Sequence, residues 1–494
     1  MTQKVGIFLA SSLFLFSSLA CAYDTPDIEN HKTVKSAMKS NGIIIHNKTQ
    51  KHVESFSEMF QDGNFYGRLR NNNFFFKYNA DDSKHDSHLV DAFGGSLIYN
   101  SALYYGVDFN FGLYGSHSFF DDTHDPINAI KPGKDTLSRY DYANTGNKSI
   151  GVVGQLNLGY TLSNTKFILG RQLLETFYTK SNDTKMVPNA FDGFVINSQD
   201  IPQTKIIGAY FSQQKLRDHL EGHSVLMVGD ANSSDSLRPE WSENDDSAMH
   251  KGLTYSALKA AGKPTDSPLL ILDVENKSIK NLKINFSSYL VPQLLAHMMG
   301  EINYKFAFNG FSITPAFRYI QQFDNGAGKV GGASIYKKDL TAYKDGSSLD
   351  AKMIAARVVT KIGDYKINLG YTNILNEADL VTPWRGFPTA GYTRSMGMYN
   401  WRANTKSYRL ELVKGATNSG VYTTPFIQTS VLYMDGDQKK GDTDSMFYYF
   451  GIIQNIPSMQ EFQYRLRLGY RDFIGHSSKV SSYLDSRLEF NYLF

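Results

Sequence analysis

The sequence predicts an all-β protein, a transmembrane antiparallel β-barrel of about 16 to 18 strands with 18 favoured. Segments of about ten residues alternate apolar and polar side chains, the period of a strand whose two faces meet different surroundings. Connections between them alternate between tight turns and long loops rich in Gly, Asp, Ser and Lys. Aromatic residues gather at strand ends, among them Tyr304, Phe308, Phe311, Tyr319, Tyr470, Tyr492 and Phe494, where the two girdles of a membrane barrel belong. A soluble sandwich or propeller also alternates. An edge-free ring, however, suits a strand pattern that runs to the last residue.

Composition removes other classes. The chain has 494 residues, 41% hydrophobic and 14% aromatic, with a single Cys and a net charge of +3. A bundle of membrane helices needs several apolar runs of ~20 residues, and the one long run is Val5 to Ala20. One cysteine cannot form a disulfide framework, and near-balanced charge opposes a nucleic-acid partner.

Taken in order, residues 1–22 read as a signal peptide: Lys4, the apolar Val5 to Leu19, then the small-x-small Ala20-Cys21-Ala22. A lipoprotein cysteine at Cys21 is disfavoured by Ser18 three residues before it. Residues 23–60 are polar, lack sustained alternation and read as a periplasmic N-terminal segment with one helical turn near Ser57 to Phe60. Residues 61–494 read as the barrel.

Within it, Phe462, Tyr464, Leu466, Leu468 and Tyr470 alternate with Glu461, Gln463, Arg465, Arg467, Gly469 and Arg471. Leu488, Phe490, Tyr492 and Phe494 oppose Asp485, Arg487, Glu489 and Asn491. Ile302 to Phe308 and Phe311 to Tyr319 flank Asn309-Gly310, a favoured two-residue hairpin turn. Further segments are Phe93 to Tyr99, Tyr105 to Leu113, Leu156 to Leu162, Ile206 to Phe211, Leu282 to Leu290, Ile354 to Ile362, Tyr365 to Tyr371, Tyr408 to Leu412 and Met446 to Ile452. Ser163-Asn164 and Gly363-Asp364 are tight turns. Asp121 to Lys148, Gly229 to Pro268, Phe323 to Asp350 and Asp435 to Asp444 are long loops.

A barrel this wide leaves an aqueous channel, so its polar face sets selectivity. That face carries Arg318, Arg357, Arg409, Arg465, Arg467, Arg471 and Arg487, with Lys305, Lys366, Arg68 and Arg70. The acids against them are Asp108, Glu301, Glu411, Glu461, Asp485 and Glu489. Same-face neighbours on a strand stand about 6.6 Å apart, so Arg465, Arg467 and Arg471 form a strip able to pass a carboxylate along. A solvated wall held by local ion pairs explains the same residues, and both readings stand at this point.

Three stretches resemble the OprD-like outer-membrane porins. Ser57 to Gly63 with Gly67-Arg68-Leu69-Arg70 is similar to that family's first strand. Leu169 to Gln172, Thr179 to Asp183 and Met186 to Gly193 resemble the stretch through its inward-folded third loop. Ile201-Pro202, Gly208 to Tyr210 and Gln214 to His219 resemble the strand and loop that follow. The resemblance implies an eighteen-stranded barrel, monomeric or loosely trimeric, in the outer membrane of a Gram-negative bacterium. It implies a channel for passive diffusion of small polar or anionic solutes, carboxylates or amino acids among them. The ladder it implies is Arg68, Arg70, Arg318, Arg357, Arg409, Arg465, Arg467, Arg471 and Arg487, and the constriction is Lys180, Ser181, Asn182 and Asp183. Implied partners are those solutes, outer-membrane lipids and lipopolysaccharide, and the barrel-assembly machinery through the Phe494 strand. No cofactor or metal is expected.

Two other functions compete. An outer-membrane lipid or peptide hydrolase would use His117, His124 or His476 at the rim, yet no segment links a nucleophile to a base. A structural barrel would be plugged. His219 and His223, four apart, and His85 and His88, three apart, have metal-like spacing without ordered acids. Asp435, Asp437, Asp442 and Asp444 lack the Gly order and final Glu of a calcium loop.

Overall fold

The computed structural model describes residues 35–39, 42–79, 87–120, 136–138, 141–142, 145–226, 249–336, 339–417, 419–474 and 482–494. Eighteen antiparallel strands close into one barrel. The first six are β1 (Asn64–Tyr78), β2 (Ser87–Asn100), β3 (Val107–Phe120), β4 (Ser149–Leu162), β5 (Thr165–Gln172) and β6 (Ala190–Ser198). The next six are β7 (Thr204–Lys215), β8 (Leu269–Asn276), β9 (Leu282–Val291), β10 (Leu295–Tyr304), β11 (Phe311–Asp324) and β12 (Ala351–Ile362). The last six are β13 (Tyr365–Ile374), β14 (Lys406–Lys414), β15 (Phe426–Asp435), β16 (Ser445–Ile456), β17 (Met459–Phe473) and β18 (Tyr483–Leu493). Closure comes from β18 against β1, from Tyr483 opposite Tyr78 to Leu493 opposite Arg68. Each strand therefore has a partner on both sides, as an apolar solvent demands of a backbone.

Side-chain alternation follows the sequence. On β17 Leu466 and Tyr464 face outward while Gln463 and Arg465 are buried inside; on β14 Tyr408, Leu410 and Leu412 are exposed while Ser407, Arg409 and Glu411 are buried. Leu466→Arg therefore puts a charge on the lipid side, at about 2–4 kcal/mol near mid-membrane. Heat-modifiable gel mobility should show impaired assembly for it and normal assembly for Arg465→Gln; equal damage would reverse the faces.

Turn chemistry also agrees. Gly310 takes φ 82° in the Asn309-Gly310 turn, and Gly363 takes φ 52° between β12 and β13, a region open to glycine without steric cost. Loop lengths alternate except at two connections. Pro292 to Leu294 is short at the long-loop end, and residues 415–425 are long at the tight-turn end.

Five strands carry no clear alternation in the sequence: β1, β5, β6, β8 and β15. On β8 the reason is physical. Inward Leu269 and Ile271 are buried in an apolar core built from loops folded into the barrel, so both faces of the strand are apolar and period two disappears. That core joins Tyr178, Leu253, Tyr289, Ile320, Trp384 and Trp401. The wide barrel is thus filled at its long-loop end by its own loops rather than by wall side chains alone.

The N-terminal segment differs from expectation. The helical turn is present at Phe56–Gln61, capped by Ser55 Oγ accepting from the Glu58 amide. Upstream, however, Ser36–Met38 pairs antiparallel with Ile44–His46, and this hairpin lies against lumen-facing residues rather than outside the barrel. Arg68 donates to Gly42 O at 2.8 Å and Arg465 to Lys39 O at 3.1 Å. Inward guanidiniums in a low-dielectric wall need acceptors, and hairpin carbonyls supply them.

Candidate functional site

Two infolded loops meet across the lumen. Residues 173–189 between β5 and β6 include the expected constriction, and residues 375–405 between β13 and β14 form a second wall. The two are joined as a short ladder: Lys180 N donates to Trp384 O at 2.9 Å and Gly386 N to Tyr178 O at 3.0 Å. A side chain at Gly386 would strike the Phe177 and Tyr178 carbonyl oxygens at 2.1 and 2.3 Å, so only glycine allows this approach. Trp384 also donates Nε1–H to Val225 O at 2.6 Å, tying in the loop after β7.

Each constriction residue has a defined place. Lys180 Nζ stands 3.6 Å from Glu175, and Ser181 donates through both N and Oγ to the same carboxylate at 2.7 and 2.8 Å. Asn182 holds φ 47° and accepts from Thr184 Oγ1 at 2.9 Å. Asp183 is buried, 2.5 Å from Arg68 Nη2 and 3.3 Å from Arg70 Nη2, and its carbonyl accepts from both guanidiniums at 3.0 Å.

Every ladder candidate faces the lumen, and most of their donors hold loops or acids. Arg318 bonds Glu301 at 2.5 Å, donates to Pro388 O and Ala390 O at 2.7 and 2.9 Å, and lies between the rings of Phe177 and Tyr392. Arg357 donates to Gly391 O and Asn303 Oδ1, both at 2.8 Å. Arg409 pairs with Glu411, Arg467 with Glu489, and Arg487 with Asp485 at 2.6 Å. Arg465 donates Nε–H to Gln463 at 2.6 Å, and Arg471 donates to Ser445 Oγ at 3.2 Å with its guanidinium over Phe473. A planar fork of five donors suits this work, since infolded backbone offers carbonyls that no sheet satisfies.

The second wall adds cations that strand periodicity does not reveal. Arg394 lies over Phe387, Tyr399 and Trp401 at 4.6, 5.4 and 5.8 Å from their centroids, and donates to Ser395 O. Among the described residues no carboxylate pairs with it. Burial brings its guanidinium down to about 10, opposed by Tyr399 and reinforced by Arg487 and Arg385, so it stays cationic at neutral pH. Arg402 pairs with Asp442 and approaches Asp379, whose carboxyl burial pushes up against the pull of Arg402 and of the Ala403 and Ile335 amides. A cavity of about 150 Å³ opens between Tyr336, Tyr399, Arg402, Asp442, Thr443 and Arg471. The signal for this wall is the loss of alternation after Ile374, where Pro383-Trp384-Arg385-Gly386-Phe387-Pro388 fits no strand.

The remaining candidates separate. The rings of His219 and His223 lie 4.7 Å apart, tilted by 54°, but His223 pairs with Gln214 in an antiparallel bridge, so they do not share a helix face. Asp437 accepts from Lys440 at 2.5 Å and Asp444 from the Gly436 amide at 3.0 Å. His117 faces outward on β3, bonded to Ser149 Oγ at 2.8 Å. His85, His124 and His476 lie outside the described residues.

No protein-family model matches the sequence, and no curated protein matches it. Solved structures do. OccK9 (OpdG) of Pseudomonas aeruginosa aligns with TM-score 0.66 at 14% identity, over 88% of this chain and 99% of its own. OccAB3 of Acinetobacter baumannii aligns with TM-score 0.65 at 15% identity, over 87% and 99%. Pseudomonas aeruginosa OpdK, solved with vanillate, aligns with TM-score 0.64 at 11% identity, over 87% and 98%. Closed ring, strand number and infolded loops together establish that the chain has the fold of the OprD-like outer-membrane porins.

Proposed function

We propose that the protein is a porin of a Gram-negative outer membrane, passing small polar solutes by passive diffusion with a preference for anions, carboxylates or amino acids among them. The observation that carries the preference is Arg394, a cation held on the infolded wall by three aromatic rings, with no acid partner among the described residues. Arg471 on β17 adds a second lumen-facing guanidinium with no carboxylate partner among the described residues, while Arg467 and Arg487 are paired with Glu489 and Asp485. An anion moving past would exchange hydration for guanidinium donors, Arg467 and Arg471 standing two same-face steps of about 6.6 Å apart on one strand. The OpdK structure holds vanillate, which fits a channel of this fold accepting a carboxylate. Outer-membrane lipids and lipopolysaccharide would surround the apolar band, and the Phe494 strand would present the aromatic end read by the assembly machinery.

Reconstitution in a planar bilayer tests the reading. Discrete conductance steps with a reversal potential of anion-preferring sign are expected under a salt gradient. Arg394→Gln should move that potential toward neutrality while leaving gel mobility unchanged. Cation preference in the wild type would remove the ladder and keep the channel; absence of steps would favour a plugged structural barrel, a reading that the hairpin in the lumen supports. Turnover of lipid or peptide substrates, lost on replacing His117, would instead favour an enzyme.

A further inference from the structure

The tight-turn mouth of the barrel carries its positive charge on one side. Along the arc from β7 to β14, Lys205, Lys280, Lys305, Lys361, Lys366 and Lys414 stand at strand ends or on turns, and Lys280, Lys305, Lys361 and Lys414 are exposed. Among the described residues none of the six lies in an ion pair; the pairs on this arc are those of Lys277 and Lys283 with Glu275. Its other acids are Asp364 and Asp200, whose carboxylate already accepts from Ser163, Asn164 and Thr165. The rest of the rim reverses the sign. There Glu54, Glu58, Asp62, Asp108 and Glu461 outnumber Lys48, Lys51 and Lys166, and Asp62 and Asp108 pair with Lys51 and Lys166 at 2.8 and 2.6 Å. Ammonium groups gathered on one arc repel one another, and a bound polyanion relieves that repulsion.

Direction and length narrow the choice of anion. Lys361 and Lys366 alternate with the outward Ile362, Tyr365 and Ile367, and Lys205 shares the inward face of β7 with buried Phe211. These three therefore lean toward the mouth and away from lipid headgroups. From β7 to β14 the arc crosses seven strand spacings, about 34 Å at roughly 4.8 Å each. A small carboxylate leaving the channel would touch one or two of these lysines, whereas an extended polyanion spans them all.

We propose that this basic crescent docks against peptidoglycan, the anionic network beneath the outer membrane of a Gram-negative cell. Its peptide stems carry carboxylates in excess of amines and repeat along each glycan chain, so one length of polymer meets lysines all along the arc. A folded acidic protein would need a single patch shaped to the curved rim; a flexible row of stems follows the curve. The acidic half of the rim repels the same polymer, which leaves that half of the mouth open to solutes. This docking rests on the tight turns facing the periplasm and is independent of the channel's ion preference, so failure of either leaves the other standing.

The test is co-sedimentation of the full-length protein, in non-ionic detergent, with purified peptidoglycan sacculi. The wild type should pellet with sacculi at low salt and be released at high salt, because exposed charge pairs are screened. Sacculi whose carboxylates have been amidated should not retain it. Lys280→Glu, Lys305→Glu and Lys361→Glu together should lower the bound fraction about tenfold, since exposed pairs are weak singly and act in sum. Lys344→Glu, exposed at the long-loop end, should bind like the wild type. Heat-modifiable gel mobility reports whether the triple variant is assembled; if it is not, amidated sacculi still decide with the unaltered chain. Wild-type protein that stays in the supernatant overturns the proposal, as does equal pelleting with amidated sacculi or an equal loss in Lys344→Glu. Beads coated with an acidic folded protein that capture the chain as well as sacculi do would overturn it in favour of a protein partner.

Discussion

Removal of Ser36 to His46 is expected to raise single-channel conductance several-fold. The hairpin is seated from three sides: Arg68 donates to Gly42 O and Met38 Sδ, Arg465 to Lys39 O, and Ser36 Oγ to Phe494 O at 3.3 Å. His46 stacks on inward Tyr66 at 4.9 Å. Each contact places hairpin atoms where lumen water would stand, and those of Arg68 and Arg465 also occupy guanidinium donors. Barrel closure does not depend on it, because β18 pairs with β1 directly. A point variant separates seating from deletion. Gly42 has φ 84°, and a Cβ there would lie 1.9 Å from Asp183 O. Gly42→Val cannot keep both the turn and the contact, so it should release the hairpin with the chain at full length. Planar-bilayer recordings in which both variants conduct like the wild type would show that the hairpin does not restrict flow.

Asp183→Ala is expected to act next most strongly, increasing conductance and anion preference together. Asp183 is the buried acid that holds the third-loop tip to both Arg68 and Arg70. Removing one partner of a buried pair strands the other charge, at about 3 kcal/mol where lumen water can enter, the low end of the usual range. The bonds from both guanidiniums to the backbone carbonyl at 183 remain, so the loop is loosened rather than freed, and the donors that held the carboxylate become available to a passing anion. The measurements are the reversal potential under a salt gradient and the gel melting temperature. A variant with wild-type selectivity and lowered melting would confine Asp183 to holding the loop.

Much of the barrel was legible in the sequence, and the illegible parts share one cause. β11, β14, β17 and β18 read cleanly because one face meets an apolar surrounding and the other meets charged partners, so period two survives. β8 did not, since Leu269 and Ile271 face an apolar core made by distant loops. The inward direction of Arg318, Arg357 and Arg465 was legible for the same reason. Their bonding was not: Pro388, Ala390, Gly391 and Lys39 are far away in sequence, and nothing local to a strand encodes which carbonyl will arrive. Arg394 was missed altogether, because it lies on irregular backbone where no periodicity assigns a direction.

By itself, the sequence determined a closed ring of alternating strands, its tight turns, and which arginines point inward. These follow from two-residue periodicity and turn chemistry, both properties of short stretches. Only the tertiary structure decided that the N-terminal hairpin enters the lumen, that residues 375–405 form a second wall, and that most inward arginines hold loops. Those outcomes depend on long-range satisfaction of buried donors and acceptors, where the partner is chosen by what folds into the same space rather than by neighbours along the chain.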